Sequence, residues 1–239
     1  MKFPFPCMVC VKSGIPIDAE SINYINIKDD ILYEGCCQHG HRVKATIDQF
    51  KYEILFEIAI QAIIDGYFRE AVSSFTSALE RFYEVFIKTV LIRNIRYFNH
   101  IEEAWSKINN QSERQLGAYI FLYLENCGES PVILSDSQVS FRNSVIHKGK
   151  IPSRDETIKY GNAVLDAIWP SMRKLKKAYH KEIELLCEAE RVRAIGEVND
   201  KIHRITLGTV LNLTQEYSIR EKQTIEMVIE TYSGEWIKH

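Results

Sequence analysis

Cysteines and histidines near the N-terminus have a spacing that suits a metal ion. One pair is Cys7-x-x-Cys10, and after a hairpin-sized gap a second group runs from Cys36 through Cys37 and His39 to His41. Zinc prefers four tetrahedral thiolate and imidazole ligands, usually supplied as two close pairs on separate turns. The spacing predicts these metal ligands: Cys7, Cys10, Cys37 and His41, with Cys36 and His39 as alternatives. Four protein ligands leave no open coordination position, so the expected role is structural.

The second half of this set, Cys37-x-x-Gly40-His41, resembles the knuckle of zinc ribbons. The resemblance implies a structural Zn²⁺ ion in a small β module. The two remaining cysteines, Cys127 and Cys187, stand alone in helical surroundings, which is unlike a disulfide framework. Metal binding is therefore the favoured interpretation of the N-terminal cysteines.

A second constellation lies far along the chain, where Arg142 and Asn143 precede His147. Cleaving RNA without a metal requires a deprotonated 2′-hydroxyl, a stabilised phosphorane charge and a protonated leaving oxygen, for which a histidine and an arginine suffice. On a helix Asn143 and His147 share a face, whereas Arg142 lies about 140° around from His147. Asn143 is expected to orient the imidazole or the phosphate.

An arginine, a neighbouring polar residue and a histidine after four intervening residues resemble the signature of the HEPN superfamily. The stretch from Ala78 to Lys88 is similar to the long first-half helix of that family, and Ile151-Pro152-Ser153 before a new helix resembles its usual continuation. The resemblance covers about residues 45 to 195. The Arg-x4-His pattern has low specificity by itself. The predicted helices around it are what strengthen the resemblance to the family.

The resemblance implies a mainly α fold, an HEPN-like helical bundle, with Arg142, Asn143 and His147 as catalytic residues. It implies metal-independent RNA cleavage by a homodimer whose two motifs meet in one cleft. It also implies a toxin or an anti-phage defence effector, with an antitoxin or defence-system protein as a partner. The alternative is a non-catalytic HEPN-like module that dimerises and binds RNA or protein, again with a structural zinc site.

The overall charge limits how RNA could bind. Thirty lysines and arginines nearly balance 32 aspartates and glutamates, so a global positive field is excluded and an RNA site must be local. Lys148, Lys150 and Arg154 are candidate contacts to the RNA backbone, although such a cluster is more often a solvated surface. No run of about 18 apolar residues is present, and the first ten residues do not resemble a signal peptide, so a cytoplasmic protein without a membrane partner is expected.

Three regions are predicted to position these residues. Residues 1–43 form the zinc-ribbon-like module, residues 44–195 form the HEPN-like helical domain, and residues 196–239 form a C-terminal extension that is helical in part. Within the first region, β-branched and aromatic residues around Asp29-Asp30 predict a short hairpin over residues 22–33.

The helical period is clearest between residues 68 and 86, where apolar residues recur every three or four positions and predict a long core helix. The motif helix should begin near Ser135 and end at His147 or Lys148, because Gly149 suits the left-handed position that follows a helix. Ser153 and Glu156 form a capping box for the next helix. Pro170 is expected to kink or interrupt that helix.

Overall fold

The computed structural model describes residues 2–15, 23–94, 97–196, 202–214 and 222–231. Over these residues the protein is mainly helical with a small N-terminal β module, which confirms the predicted fold class. The chain divides into two units. The first takes in Met1–Asp48 and Cys187–Leu207, and the second takes in Gln49–Leu186 and Gly208–Glu230.

The first unit contains two small sheets. Its elements are β1 (Lys2–Phe5), α1 (Met8–Lys12), β2 (Asn23–Asn26), β3 (Leu32–Cys36), β4 (Arg42–Ile47) and β5 (Ile202–Ile205). Strand β1 pairs with β2 in antiparallel fashion, while β4 lies between an antiparallel β3 and a parallel β5. A strand from far along the chain thus completes the sheet that carries half of the Cys/His set.

The hairpin predicted over residues 22–33 is wrong, because β2 pairs with β1 and β3 pairs with β4. The connection between β2 and β3 is held by side chains. The amide of Lys28 donates to the hydroxyl of Tyr33 at 3.2 Å, and the amide of Leu32 donates to Asp30 Oδ1 at 3.1 Å. Side-chain oxygens therefore satisfy backbone groups that a tight hairpin would pair with each other.

An aromatic cluster holds the two sheets of the first unit together. The ring of Phe3 meets Tyr33 edge-on with a centroid distance of 4.8 Å, and both side chains are buried. Gly35 in β3 approaches the side chains of Phe5 and Ile25 so closely that an added Cβ would lie 3.0 to 3.2 Å from them. The end of β3, where the second Cys/His group begins, is consequently fixed by close packing.

The second unit is helical. Its elements are α2 (Lys51–Ile64), α3 (Phe68–Asn94), α4 (Phe98–Ser106), α5 (Ser112–Cys127), α6 (Asp136–Lys148), α7 (Arg154–Ala178), the first part of α8 (His180–Ile195) and α9 (Ile225–Thr231). Helix α3 is central, since α2, α4, α5, α6 and α7 all pack against it. Its apolar stripe is buried apart from the half-exposed Phe68, which confirms the predicted core helix.

Helix α7 begins with the predicted capping box. The hydroxyl of Ser153 accepts the amide of Glu156, and the Glu156 carboxylate accepts the amide of Ser153 at 2.9 Å. The expectation that Pro170 interrupts this helix is wrong, because α7 continues through Pro170 to Ala178. The carbonyl deprived of its bond by the proline belongs to Asp166, which is exposed, so water can replace the missing amide.

Two buried carboxylates of α2 bind the segment that follows β5. Glu53 accepts the hydroxyl of Thr209 at 2.9 Å and the amide of Leu213 at 3.4 Å, and Glu57 accepts the amide of Val210 at 2.6 Å. Burial raises the pKa of Glu53 to about 8, against the lowering effects of these hydrogen bonds and of the nearby Lys176 charge. Glu53 is therefore mostly protonated at neutral pH.

This raised pKa predicts that the protein loses stability as the solution becomes alkaline. The stabilisation that comes from proton binding by Glu53 in the folded state is fully present below the unfolded-state pKa of 4.5. It is lost as the pH rises to the folded-state pKa of about 8. Between pH 6 and pH 9 the free energy of unfolding should fall by roughly 2 to 3 kcal/mol through this group. Urea denaturation of wild type and Glu53→Gln should show this pH dependence in the wild type and its loss in the variant.

The exposed Glu103 provides a control. Glu103→Gln removes a carboxylate from the surface and should retain the pH dependence of the wild type. Parallel pH profiles for wild type and Glu53→Gln would show that Glu53 is already ionised in the folded state, contrary to the prediction.

Candidate functional site

Four predicted metal ligands come together in the first unit. Cys7 lies at the N-terminal end of α1 and Cys10 within it, whereas Cys37 and His41 flank the tight turn between β3 and β4. Gly40 occupies this turn with φ of 77°, a left-handed conformation that favours glycine. The carbonyl of His41 accepts the amide of Cys37 at 3.0 Å, which closes the turn and brings both side chains to one side.

Four of the six distances among the ligand atoms are close to those around a tetrahedral metal ion. With metal–sulfur and metal–nitrogen bonds of about 2.3 and 2.0 Å, tetrahedral geometry places two sulfurs roughly 3.8 Å apart and a sulfur and a nitrogen roughly 3.5 Å apart. The Sγ atoms of Cys10 and Cys37 are 3.8 Å apart. The Nδ1 atom of His41 lies 3.8, 3.3 and 3.5 Å from the Sγ atoms of Cys7, Cys10 and Cys37. All four ligand atoms lie within 4.8 Å of one another, close enough to bind a metal ion.

The two alternative ligands are placed differently. Cys36 is exposed, and its thiol donates to the carbonyl of Cys37 at 3.6 Å. The Nδ1 atom of His39 lies 3.5 Å from Cys10 Sγ, but His39 is not part of the group whose ligand atoms are all mutually close. The register favoured from the sequence is therefore the one whose four side chains converge.

The protein environment acts in opposite directions on two of the thiols. Burial raises the pKa of Cys10 to about 12. Burial also raises the pKa of Cys37, but hydrogen bonds from the amides of His41 and His39 and from the other two thiols outweigh it and lower that pKa to about 6. Because the thiolate is the form that binds a metal, Cys37 offers a ligand that is already largely ionised at neutral pH.

The motif residues lie on α6, whose ends are sharply defined. Ser135 and Gln138 form a capping box at the N-terminus, and the helix ends at Lys148 before Gly149, which has φ of 74°. The amide of Lys150 then donates to the carbonyl of Ser144 at 3.0 Å. The predicted start and end of the motif helix are confirmed.

The three motif side chains differ in exposure. Arg142 is half-buried and lines a cavity of about 70 Å³, and its Nε atom is buried without a hydrogen-bond partner. Asn143 is half-buried, and His147 is exposed in the last turn of the helix. Within one chain, the described structure thus places Arg142 at the cavity and His147 at the surface instead of bringing them together on one face.

The cavity is formed by α3, α5, α6 and α7, and was not anticipated from the sequence. Its polar lining includes Thr76, Glu80, Glu113, Arg142 and Tyr160, and leucine and valine side chains form much of the remainder. Burial raises the pKa of Glu80, while the charges of Arg142 and Arg81 lower it. Burial also raises the pKa of Tyr160 to about 12. Because the lining comes from four helices, no local pattern in the sequence could have revealed it.

The three candidate RNA contacts follow the motif. Lys148 and Arg154 are exposed. Lys150 forms an ion pair with Glu156 at 2.6 Å, and its Nζ atom lies 5.0 Å from the centre of the Phe141 ring. Lys150 is thus already engaged within the chain, whereas the charges of Lys148 and Arg154 lie at the surface beside the end of α6.

Comparisons with known proteins give no match for the chain among protein-family models, curated proteins or solved structures. Among the described residues, no helix is both long enough and apolar enough to cross a membrane. The Cys/His cluster and the α6 motif are therefore the two features of the chain that bear on its function.

Proposed function

We propose that this chain is a metal-independent endoribonuclease of the HEPN type, which cleaves RNA through attack of a 2′-hydroxyl on the adjacent phosphate. The observation that carries the proposal is the placement of Arg142, Asn143 and His147 on one well-bounded helix with the imidazole exposed in its last turn. An exposed imidazole at that position can reach an RNA phosphate and transfer protons to and from its oxygens.

Each motif residue has a proposed role. His147 transfers the proton of the attacking or leaving oxygen, Arg142 stabilises the charge of the phosphorane, and Asn143 orients the imidazole or the phosphate. Because Arg142 and His147 lie on different sides of α6, one motif is poorly arranged to act on a phosphate alone. We therefore include a homodimer in the proposal, in which the motifs of two copies face one RNA strand.

The metal of the Cys/His cluster is proposed to be Zn²⁺. A tetrahedral set of three thiolates and one imidazole binds zinc in preference to harder ions such as Mg²⁺ and Ca²⁺. Since four protein ligands fill the coordination sphere, the ion would hold α1 and the β3–β4 turn together instead of activating water. The module could then position the enzyme on RNA or on a partner protein.

The biological setting is part of the same proposal. A cytoplasmic toxin or anti-phage defence effector fits such an enzyme, with an antitoxin or defence-system protein controlling it. Lys148 and Arg154, exposed beside the motif, are proposed to contact the RNA backbone, with Lys150 joining them if RNA displaces its ion pair with Glu156.

The test is incubation of the purified, zinc-loaded protein with a mixed RNA pool, with and without a brief addition of EDTA, followed by analysis of the fragment ends. We expect cleavage in both conditions, with 2′,3′-cyclic phosphate and 5′-hydroxyl ends. Cleavage that requires added Mg²⁺, or fragments with 5′-phosphate ends, would contradict the proposed chemistry. Measuring the zinc content of the EDTA-treated protein separates the effect of EDTA on the Cys/His cluster from its effect on catalysis.

The half-buried position of Arg142 favours one alternative function. An arginine directed into a cavity is suited to stabilising the bundle, as in a non-catalytic HEPN-like module that dimerises and binds RNA or protein. Intact RNA in the incubation, together with tight binding of RNA or a partner, would support this alternative.

A further inference from the structure

Helix α5 is apolar on more sides than it buries. Its buried residues form a single row of Gln115, Tyr119 and Tyr123. The stretch of residues 116–124 nevertheless carries no charged side chain, and its outer side presents Phe121, which is 73% exposed, and Leu124, which is 44% exposed. A helix that is apolar all round is normally buried on every side, so the outer face of α5 is suited to contact with a partner.

A stripe of four residues, here called the outer stripe, runs along this face. Its members are Arg114, Ala118, Phe121 and Glu125, at intervals of four, three and four positions. Residues at these intervals lie above one another on the same side of a helix. All of them are exposed except Ala118, which is half-buried. Among the described residues, no ion pair engages either of the two charged members.

The order of residues in the outer stripe fits a second copy of itself that runs in the opposite direction. A twofold axis through the middle of the stripe places Arg114 opposite Glu125 of the second copy. The same axis places Ala118 opposite the ring of Phe121 of the second copy. Beside Ala118, no atom lies within 4 Å of the position that a Cβ of Gly117 would take, which leaves room for that ring. Each contact occurs twice, so opposite charges and complementary sizes meet along the whole stripe.

We infer that α5 is the surface through which two copies of this chain form an antiparallel, twofold-symmetric homodimer. A different protein would need the same order of charge and size on one of its helices, whereas a second copy has it by identity. A homodimer is part of both the proposed function and its non-catalytic alternative. The inference rests on the proposed function only for the effect of dimerisation on RNA cleavage, because the pairing itself is argued from α5.

The first test exchanges the charges of the outer stripe and measures mass by sedimentation equilibrium of the full chain. Arg114→Glu brings two negative side chains together at each end of the pair, and Glu125→Arg brings two positive ones together. We expect each variant to weaken dimerisation by at least about tenfold, because the repulsion occurs twice. An equal mixture of the two variants should regain the wild-type dimer, since only a mixed pair has opposite charges facing each other at both ends.

The second test removes the aromatic ring at the middle of the stripe. Phe121→Ser should weaken dimerisation by at least about tenfold, because aromatic side chains at the centre of an interface typically carry much of the binding energy. Phe121 is exposed, so its replacement should leave the fold intact, which far-ultraviolet circular dichroism checks. Tyr67→Ser is the matched control, since Tyr67 is 63% exposed but lies outside α5. It should dimerise like the wild type.

The outcomes decide the inference separately from the proposed function. A wild type that stays monomeric at every concentration would overturn the inference, and so would charge variants that dimerise as well as the wild type. A mixture of the charge variants that stays monomeric would show that the two charges do not face each other, which also overturns it. Equal losses in Phe121→Ser and Tyr67→Ser would do the same. A dimer that cleaves no RNA would contradict the proposed function, while recovery in the mixture would still support the α5 pairing.

Discussion

Replacing Cys37 with serine is expected to abolish binding of one metal ion per chain and to unfold the β part of the first unit. The Sγ atom of Cys37 lies 3.8 Å from Cys10 Sγ and 3.5 Å from His41 Nδ1. For small metal modules the free energy of metal binding is largely the free energy of folding. Removing a side chain that hydrogen-bonds to a metal ligand typically weakens metal binding about 10- to 100-fold, so losing a ligand itself should cost more than about 100-fold.

Zinc release measured with a colorimetric chelator gives the stoichiometry, and far-ultraviolet circular dichroism gives the β signal. Cys36→Ser is the matched control, because Cys36 is the adjacent cysteine and is exposed. It should retain the metal and the fold. A full zinc content in Cys37→Ser, with loss in Cys36→Ser, would mean that the ligand register is shifted by one residue. The pair His41→Ala and His39→Ala tests the imidazole in the same way.

The Cys/His cluster could be predicted from the sequence because its geometry is local. Cys7-x-x-Cys10 and Cys37-x-x-Gly-His41 each lie within one turn, so their spacing alone limits which side chains can face one ion. The pairing of β5 with β4 could not be predicted, because it joins strands that are far apart in the chain and leaves no short-range pattern in the sequence. The hairpin predicted around Asp29 and Asp30 was wrong because turn-forming residues do not specify which strands they connect.

In the helical unit as well, features set by neighbouring residues could be predicted from the sequence, and features set by long-range packing could not. The periodicity of α3, both ends of α6 and the start of α7 depend on neighbouring residues, and all of these were predicted. The depth of Arg142 depends on how four helices pack around it. Sequence patterns therefore identified the candidate motif but not the cavity beside it.

His147→Ala is expected to reduce RNA cleavage by at least about 100-fold, because general acid and base catalysis by a positioned side chain contributes roughly 10²- to 10⁴-fold. The side chain of His147 is exposed at the end of α6, so its removal should leave the melting temperature nearly unchanged. Single-turnover cleavage of a defined RNA and thermal unfolding measure the two effects separately.

The matched control for that substitution is His100→Ala, since His100 is also an exposed histidine on a helix but lies on α4. It should cleave RNA at the wild-type rate. If the active species is a dimer in which one copy supplies Arg142 and the other His147, mixing inactive Arg142→Ala and His147→Ala proteins should restore part of the activity. Some of the dimers that form are then mixed, and each mixed dimer contains one intact composite site. Equal cleavage by wild type and His147→Ala would show that His147 takes no part in the reaction. Loss of activity in His100→Ala as well would show that removing either histidine damages the protein, which would contradict a specific catalytic role for His147.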